Sequence, residues 1–303
     1  MARQRSGEDI SGWVLIDKSA GITSNAVSNK VRWLFNAKKA GHTGTLDPEA
    51  TGLLAIALGE ATKTIPYVTN SLKEYSFIIN FGQEATTYDS EGTVTKTSKL
   101  RPSDNEIREK LNDFIGEIEQ IPPKFSAVKI DGQRAYKLSR DNIDIVISPR
   151  LITIESLELL ERIDEDRVSL KMICGKGGYV RSVSRDLGRA LGCYGHTHSL
   201  RRLWSGMFNV KDALKLEDLV LLKGTPQLSK ALIALESSLK DLYQIPIKSE
   251  DVKKIKNGNP CNVDKLCNHD NRVVWVSYQK KAIAIGKCLN GQFFPSRVFI
   301  NST

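Results

Sequence analysis

The sequence predicts an α/β fold, a mixed sheet flanked by helices and followed by a small β-rich module, and three observations lead there. Apolar or alternating runs of strand length at residues 12–17, 53–58, 74–81, 151–160 and 168–174 are interleaved with helix-periodic segments that start near residues 24, 103 and 180. Beyond residues 245–247, which read as a linker, the pattern shifts to three short strand runs near 272–277, 282–288 and 293–300. The length of 303 residues exceeds a usual single domain, so two are expected, 1–245 and 246–303.

Taken in order, residues 12–17 (GWVLID) form a short buried strand ending at Lys18, and Thr23 or Ser24 offers an N-cap for a helix with Val27, Val31, Leu34 and Phe35 on one face. Residues 40–63, AGHTGTLDPEATGLLAIALGEATK, set Asp47 between small residues and turn formers, and Pro48 fixes the turn behind it. The uncharged run 53–58, closed by Gly59, suits a buried strand that anchors this loop. A polar loop on a rigid scaffold is where catalytic groups tend to sit.

Residues 74–81 place Tyr75 near the start of a strand, and residues 86–101 read as a polar, mobile loop. Ser103 and Glu106 make a capping-box pattern that opens a helix with Ile107, Leu111, Phe114 and Ile115 on its apolar face, ended by Gly116. Asp131-Gly132 reads as a hairpin turn. After the strands at 151–160 and 168–174, Lys176-Gly177-Gly178 turns the chain into a helix with Val180, Val183, Leu187 and Leu191 on one face. Arg181 falls in its first turn, where the helix dipole disfavours a cation by about 0.3–1 kcal/mol, so an arginine there points to a carboxylate nearby. Residues 216–241 read as helical, as do 252–256, with Asn257-Gly258 as a turn.

Composition narrows partner and compartment. Hydrophobic residues make up 40% and charged residues 26%, as in ordinary globular chains. The 44 Lys and Arg against 35 Asp and Glu give a formal charge of +9, which favours a polyanionic partner. Residues 248–303 hold ten of the basic residues against four acidic ones, a net of +6, so much of the excess lies in the terminal module. The opening MARQRSGEDI lacks the apolar core of a signal peptide and no run approaches the roughly eighteen apolar residues of a membrane span, so a cytoplasmic protein is expected. Five cysteines with no C-x-x-C pair argue against a disulfide framework or zinc ribbon. Cys193 with His196 and His198, and Cys261 with Cys267 and His269, lack the paired spacing of a four-ligand site, and no metal is expected.

The central loop closely resembles the catalytic motif of the TruB family of tRNA pseudouridine synthases, G-H-T-G-x-L-D-P-x-A-T-G followed by a buried strand and G-E-A-T-K. Every fixed position from Gly41 to Gly52 and from Gly59 to Lys63 is present. The family's D-K-P-x-G-x-[ST]-S appears as DKSAGITS with Ser19 for the proline, its K-x-Y as Lys73-Glu74-Tyr75, and its Q-x-P-P-x-[FY]-S-A stretch at residues 120–127, with Lys129, Gly132, Arg134 and Tyr136 in register. Its C-[ST]-x-G-T-Y-[IV]-R motif appears as residues 174–181, with Gly175 and Gly178 in place of hydroxyl residues, and LRRL at 200–203 follows as in relatives.

The resemblance implies a pseudouridine synthase fold with a mainly antiparallel sheet and a PUA-like C-terminal RNA-binding domain. It implies isomerisation of uridine 55 in the tRNA T loop, with the T-arm as partner, no cofactor and no obligatory protein partner, hence a monomer. Asp47 is then the catalytic carboxylate and Arg181 its partner, expected to hold the carboxyl at or below its usual value of roughly 3.9 across a groove that admits an extruded nucleoside. Tyr75 is expected to stack on the displaced uracil, His42 to fill the vacated space, and Leu200 to line the uracil pocket, with Tyr179 and Lys18 also at the substrate. Lys63, Arg134, Arg201 and Arg202 are expected to meet phosphates, and His196 and His198 to lie at the surface or near RNA. Two other readings stay open: a non-catalytic RNA-binding or RNA-folding protein, and a hydrolase pairing Asp47 with Glu49 or Glu60.

Overall fold

The computed structural model describes residues 7–141, 143–263 and 271–300. Strands β1 (Gly12–Lys18), β2 (Ala40–His42) and β3 (Thr51–Leu58) form one end of a sheet that has ten strands among the described residues, with helix α1 (Ser24–Leu34) between the first two. β1 and β3 read as continuous apolar runs because both of their faces are covered. Trp13, Leu15, Leu53, Ala55 and Ala57 point into one core cluster, while Val14, Ile16, Leu54, Ile56 and Leu58 point into another beneath Val27, Val31 and Leu34 of α1.

The other half of the sheet shows the alternation of a strand buried on one side. After α2 (Ile65–Asn70), β4 (Lys73–Phe81) turns Tyr75, Phe77, Ile79 and Phe81 inward. The hairpin β5 (Gln83–Ala85) and β6 (Val94–Thr97) occupies the stretch expected to be a mobile loop, and its ends are paired strand to strand. The Ser103 capping box is present and opens α3 (Asp104–Leu111). That helix closes through a tight turn, Asn112–Phe114, which leaves Ile115 exposed, and Gly116 begins β7 (Gly116–Gln120).

The hairpin β8 (Lys129–Ile130) and β9 (Gln133–Arg134), with α4 (Ala135–Arg140), builds a small separate core around Val128, Leu138, Ile145 and Ile147. β10 (Arg150–Arg162) and β11 (Arg167–Cys174) return to the main sheet, and α5 (Val180–Ala190) lays Val180, Val183 and Leu187 across Phe77, Leu170 and Met172.

The strand that organises the site is one that the sequence pattern did not reveal. β12 (Gly195–Ser205) lies in the middle of the sheet, parallel to β3 and antiparallel to β4. Its inward positions include His196, Thr197, Arg202 and Ser205, all buried, so the hydropathy pattern of GHTHSLRRLWS carries no strand signal. The strands β13 (Phe208–Asn209) and β14 (Leu214–Lys215) then complete a sheet ordered β14-β1-β3-β12-β4-β11-β10-β7, which is mixed and mainly antiparallel. The region 216–241 is three short pieces, α6 (Leu216–Leu221), α7 (Gln227–Lys230) and the turn Leu235–Leu239, in place of longer helices.

Residues 245–247 do not act as a linker. Tyr243–Pro246 is a strand, β15, that pairs in parallel with β17 (Val273–Tyr278) and forms an edge of a five-stranded sheet completed by β16 (Cys261–Asn262), β18 (Lys281–Leu289) and β19 (Gln292–Val298). Helix α8 (Ser249–Lys256) packs Ile255 beneath it. This sheet is fused to the main body: Trp275, Ala282, Ile285 and Phe299 share the cluster that holds Trp13 and Leu53.

Candidate active site

The loop between β2 and β3 is held on both sides of Asp47. Thr23 caps α1, which leaves the Ser24 hydroxyl free to bond with both backbone groups of Leu46, accepting from its N–H and donating to its carbonyl at 2.9 Å each. On the other side the buried Lys18 ammonium donates to the Pro48 carbonyl at 2.7 Å and to Ser19 O at 2.8 Å, and Gly21 N–H reaches the same Pro48 oxygen at 3.1 Å. With Leu46 and Pro48 fixed, the Asp47 side chain is left 37% exposed. Gly52 ends the loop at φ +95°, where a Cβ would lie 2.2 Å from the Arg202 carbonyl, so only glycine lets β3 and β12 run this close.

Arg181 arrives at the same point from the start of α5. The helix start is fixed by Gln120, whose side chain accepts from Tyr179 N–H at 2.8 Å and donates to Tyr179 O at 3.1 Å. The Arg181 guanidinium meets Asp47 in two places, Nε to Oδ2 at 2.9 Å and Nη2 to Oδ1 at 3.1 Å, so the carboxylate inferred from the helix dipole is there. The two groups touch, where a groove between them was expected. Arg181 also donates to Thr87 O at 3.1 Å and Phe125 O at 2.9 Å, and Asp89 Oδ2 lies 3.5 Å from Nη1. One guanidinium therefore joins the Asp47 loop, the β5–β6 hairpin and the segment that follows β7.

The electrostatic outcome corrects the expectation for Asp47. Burial raises its carboxyl above the ordinary value; Arg181 pulls it back, Asp89 pushes it up again, and the balance stays upward. Burial also brings Lys18 down to about 8, although Glu49 and Asp47 support its charge. His42 is lowered by burial and by Arg202, which favours the neutral ring, and its Nε2 lies 3.4 Å from the Thr45 hydroxyl. Tyr75 and Tyr179 are both raised, chiefly by burial, and both feel the Asp47 charge. A phenol raised in this way is a poor base.

Most of the expected residues converge here. Lys18 underlies the loop, His42 precedes it, Leu200 packs against the cluster that contains Tyr75, and the Leu200 carbonyl accepts from Thr51 Oγ1 at 3.3 Å. Two expected phosphate contacts are corrected. Arg202 is 1% exposed and its guanidinium is committed to the Leu53, Gly44 and Thr43 carbonyls. Lys63 donates to Glu60 at 2.7 Å and to the Val298 carbonyl at 2.6 Å, fastening β19 to the body. Arg201 forms a two-pronged pair with Asp17 at 2.9 and 2.7 Å, and Arg134 stands exposed on the β8–β9 hairpin.

His196 is buried with Nδ1 3.1 Å from the Gln83 carbonyl, so the surface expectation holds for His198 alone. Cys267 and His269 lie outside the described residues, and among the described ones no group of three or more His, Cys, Asp and Glu is placed to hold a metal. Asp89, Thr87 and Phe125 were not singled out from the sequence. Asp89 sits in a polar stretch with no periodicity, and only the unfilled hydrogen-bonding capacity of an arginine pointed towards further acceptors.

Fold and sequence together are those of a pseudouridylate synthase. A solved chain from the "Structure of H/ACA RNP bound to a substrate RNA containing 2'-deoxyuridine" superposes with a TM-score of 0.71 at 23% identity, covering 95% of this chain and 84% of that one. The sequence relationship is closer. The chain belongs to the TruB family: "TruB family pseudouridylate synthase (N terminal domain)" matches residues 32–180 and "tRNA pseudouridylate synthase B C-terminal domain" matches 181–240. It is 53% identical to the tRNA pseudouridine synthase B of Ruegeria pomeroyi, over 99% of each chain, and 52% identical to that of Roseobacter denitrificans, over 98% of each. The chain is accordingly an isomerase of this family.

Proposed function

We propose that the chain converts uridine 55 in the T loop of tRNA to pseudouridine, with Asp47 as the essential carboxylate. The C1'–N1 bond breaks, the uracil turns, a C1'–C5 bond forms, and the C5 proton is released while N1 gains one. The observation that carries this is the Asp47–Arg181 pair, in which the arginine is sealed and the aspartate remains open to a nucleoside sugar. Arg181 favours the ionised carboxylate, Tyr75 stacks on the displaced base, and Tyr179, Leu200 and His42 border the substrate. The names of the relatives support tRNA as the RNA. Exposed basic residues such as Arg134, and the net positive terminal module taken as an RNA-binding PUA-like domain, supply sequence-independent affinity in the cytoplasm for a monomer acting without a protein partner.

The hydrolase reading loses Glu60 as its second carboxylate, since Glu60 accepts from Lys63 and from Ile300 N–H; Glu49 stands exposed beside the loop, and the identity of the product decides between the readings. A transcript carrying tritium at C5 of uridine tests the proposal. Asp47→Ala is expected to bind tRNA and release no tritium, whereas normal release by that variant, or free uracil as product of the unaltered chain, would overturn it.

A further inference from the structure

Arg202 is a buried cation whose bonds among the described residues go to neutral groups. Nε donates to Leu53 O at 2.8 Å, and Nη2 to Gly44 O at 3.0 Å and Thr43 O at 3.4 Å. Across the sheet it stands directly opposite Tyr75, with which it pairs in register. Burying a guanidinium without a carboxylate is costly, and here backbone carbonyls around Nε and Nη2 offset that cost. Arginine has no acceptor, so beside a phenol it can only donate, which makes the phenolic oxygen the acceptor and leaves the phenol's own O–H free to donate.

We propose that Arg202 is a positioning residue for the reaction: it ties the Thr43–Gly44 end of the catalytic loop to β3, and by donating to Tyr75 directs that phenol's proton into the cleft towards the uracil. This rests on the function proposed above. The two effects have one geometric origin, since β12 is the strand that lies between β3 and β4. A lysine at position 202 keeps the charge but supplies one point of contact in place of a planar fork.

The test is steady-state tritium release from a T-arm stem-loop RNA by the full chain, Arg202→Lys, Tyr75→Phe and the double variant. Arg202→Lys is expected to lose about tenfold or more in kcat with KM within about twofold, the pattern of misplaced reacting groups. Its effect should be less than additive with Tyr75→Phe, because a purely structural loss would add fully. Unchanged kcat, full additivity, or a rise in KM with a shallower salt dependence, the mark of a lost phosphate contact, would each overturn the proposal. If Arg202→Lys shows no cooperative melting, Tyr75→Phe carries the test, since it removes only the hydroxyl that Arg202 is proposed to address. It should lower kcat and spare KM, and an unaffected kcat overturns the proposal. An inactive parent chain sinks the functional reading and this inference together, whereas an active parent with an unaltered Arg202→Lys sinks this inference alone.

Discussion

Asp47 and Arg181 are 134 residues apart in the chain and meet side by side, the arginine side chain 5% exposed and the aspartate 37%. Burial raises the carboxyl and the guanidinium draws it back down. Arg181→Gln removes only the downward pull, so ionised Asp47 then persists only above a still higher pKa. The acid limb of kcat/KM is therefore expected to move to higher pH, and the plateau to fall on the order of 100-fold, the scale of one lost charge-stabilising donor. Rates of tritium release from about pH 5 to pH 9 measure both effects. An acid limb that stays in place would mean that Asp47 is not the group being titrated.

Lys63 is expected to behave as a fastener. Its ammonium bridges Glu60 and the Val298 carbonyl, and the same Glu60 oxygen accepts from Ile300 N–H. Lys63→Met leaves the largely buried Glu60 without its cation, at a cost of about 1–3 kcal/mol for a charge-assisted bond. The melting temperature should fall while the slope of log Kd against log salt for tRNA stays unchanged. Arg134→Ala should do the reverse, lowering the slope by up to about 0.9 with little change in melting. A reduced slope for Lys63→Met would restore it as a phosphate contact.

The difference between these two basic residues shows what the sequence made legible. Elements with local signals were readable: the capping box at Ser103, the doubly covered runs of β1 and β3, the alternation of β4 and β11, and the arginine misplaced on a helix dipole. β12 was not, because its inward residues are polar, and His196 and Arg202 find their partners far away in the chain, at the Gln83 and Leu53 carbonyls. Charge was legible as composition but not as destination, since a lysine that docks a strand and one that meets a phosphate have the same surroundings in sequence. Asp89 was missed for a related reason: its role comes from the β5–β6 pairing, which folds the polar stretch back onto Arg181.

Glu84, on that hairpin, is expected to contribute pH-dependent stability. Burial pushes its carboxyl up, but Arg189 at 2.6 and 2.8 Å and Lys96 at 3.5 Å outweigh this and hold it below the ordinary value. A carboxyl lower in the folded state than in the unfolded one stabilises above its unfolded pKa of about 4.3, and that stability disappears as pH falls through the folded value. Denaturation midpoints of the parent and Glu84→Gln should differ most near neutrality and converge in acid. Because the Arg189 side chain is 43% exposed, added salt should narrow the neutral-pH gap. A gap of constant size across this range would show that packing, with no ionic part, is responsible.

Asp89→Asn is expected to shift the acid limb in the direction opposite to Arg181→Gln. Asp89 lies 3.5 Å from Arg181, and its negative charge adds to the raising of Asp47. The amide removes that charge yet keeps an oxygen to accept from the Thr87 hydroxyl, now at 2.5 Å, and from Glu91 N–H, at 3.2 Å, so the hairpin retains its shape. Asp47 then ionises at lower pH, and the acid limb of the rate profile moves down. The plateau should fall as well, because Arg181 loses a group that helps to aim it, and this loss should be smaller than for Arg181→Gln because Thr87 O and Phe125 O still hold the guanidinium. Opposite shifts from the two variants would establish that charge, transmitted through one arginine, sets the ionisation of Asp47. Shifts of the same sign would mean that both variants act by loosening the loop.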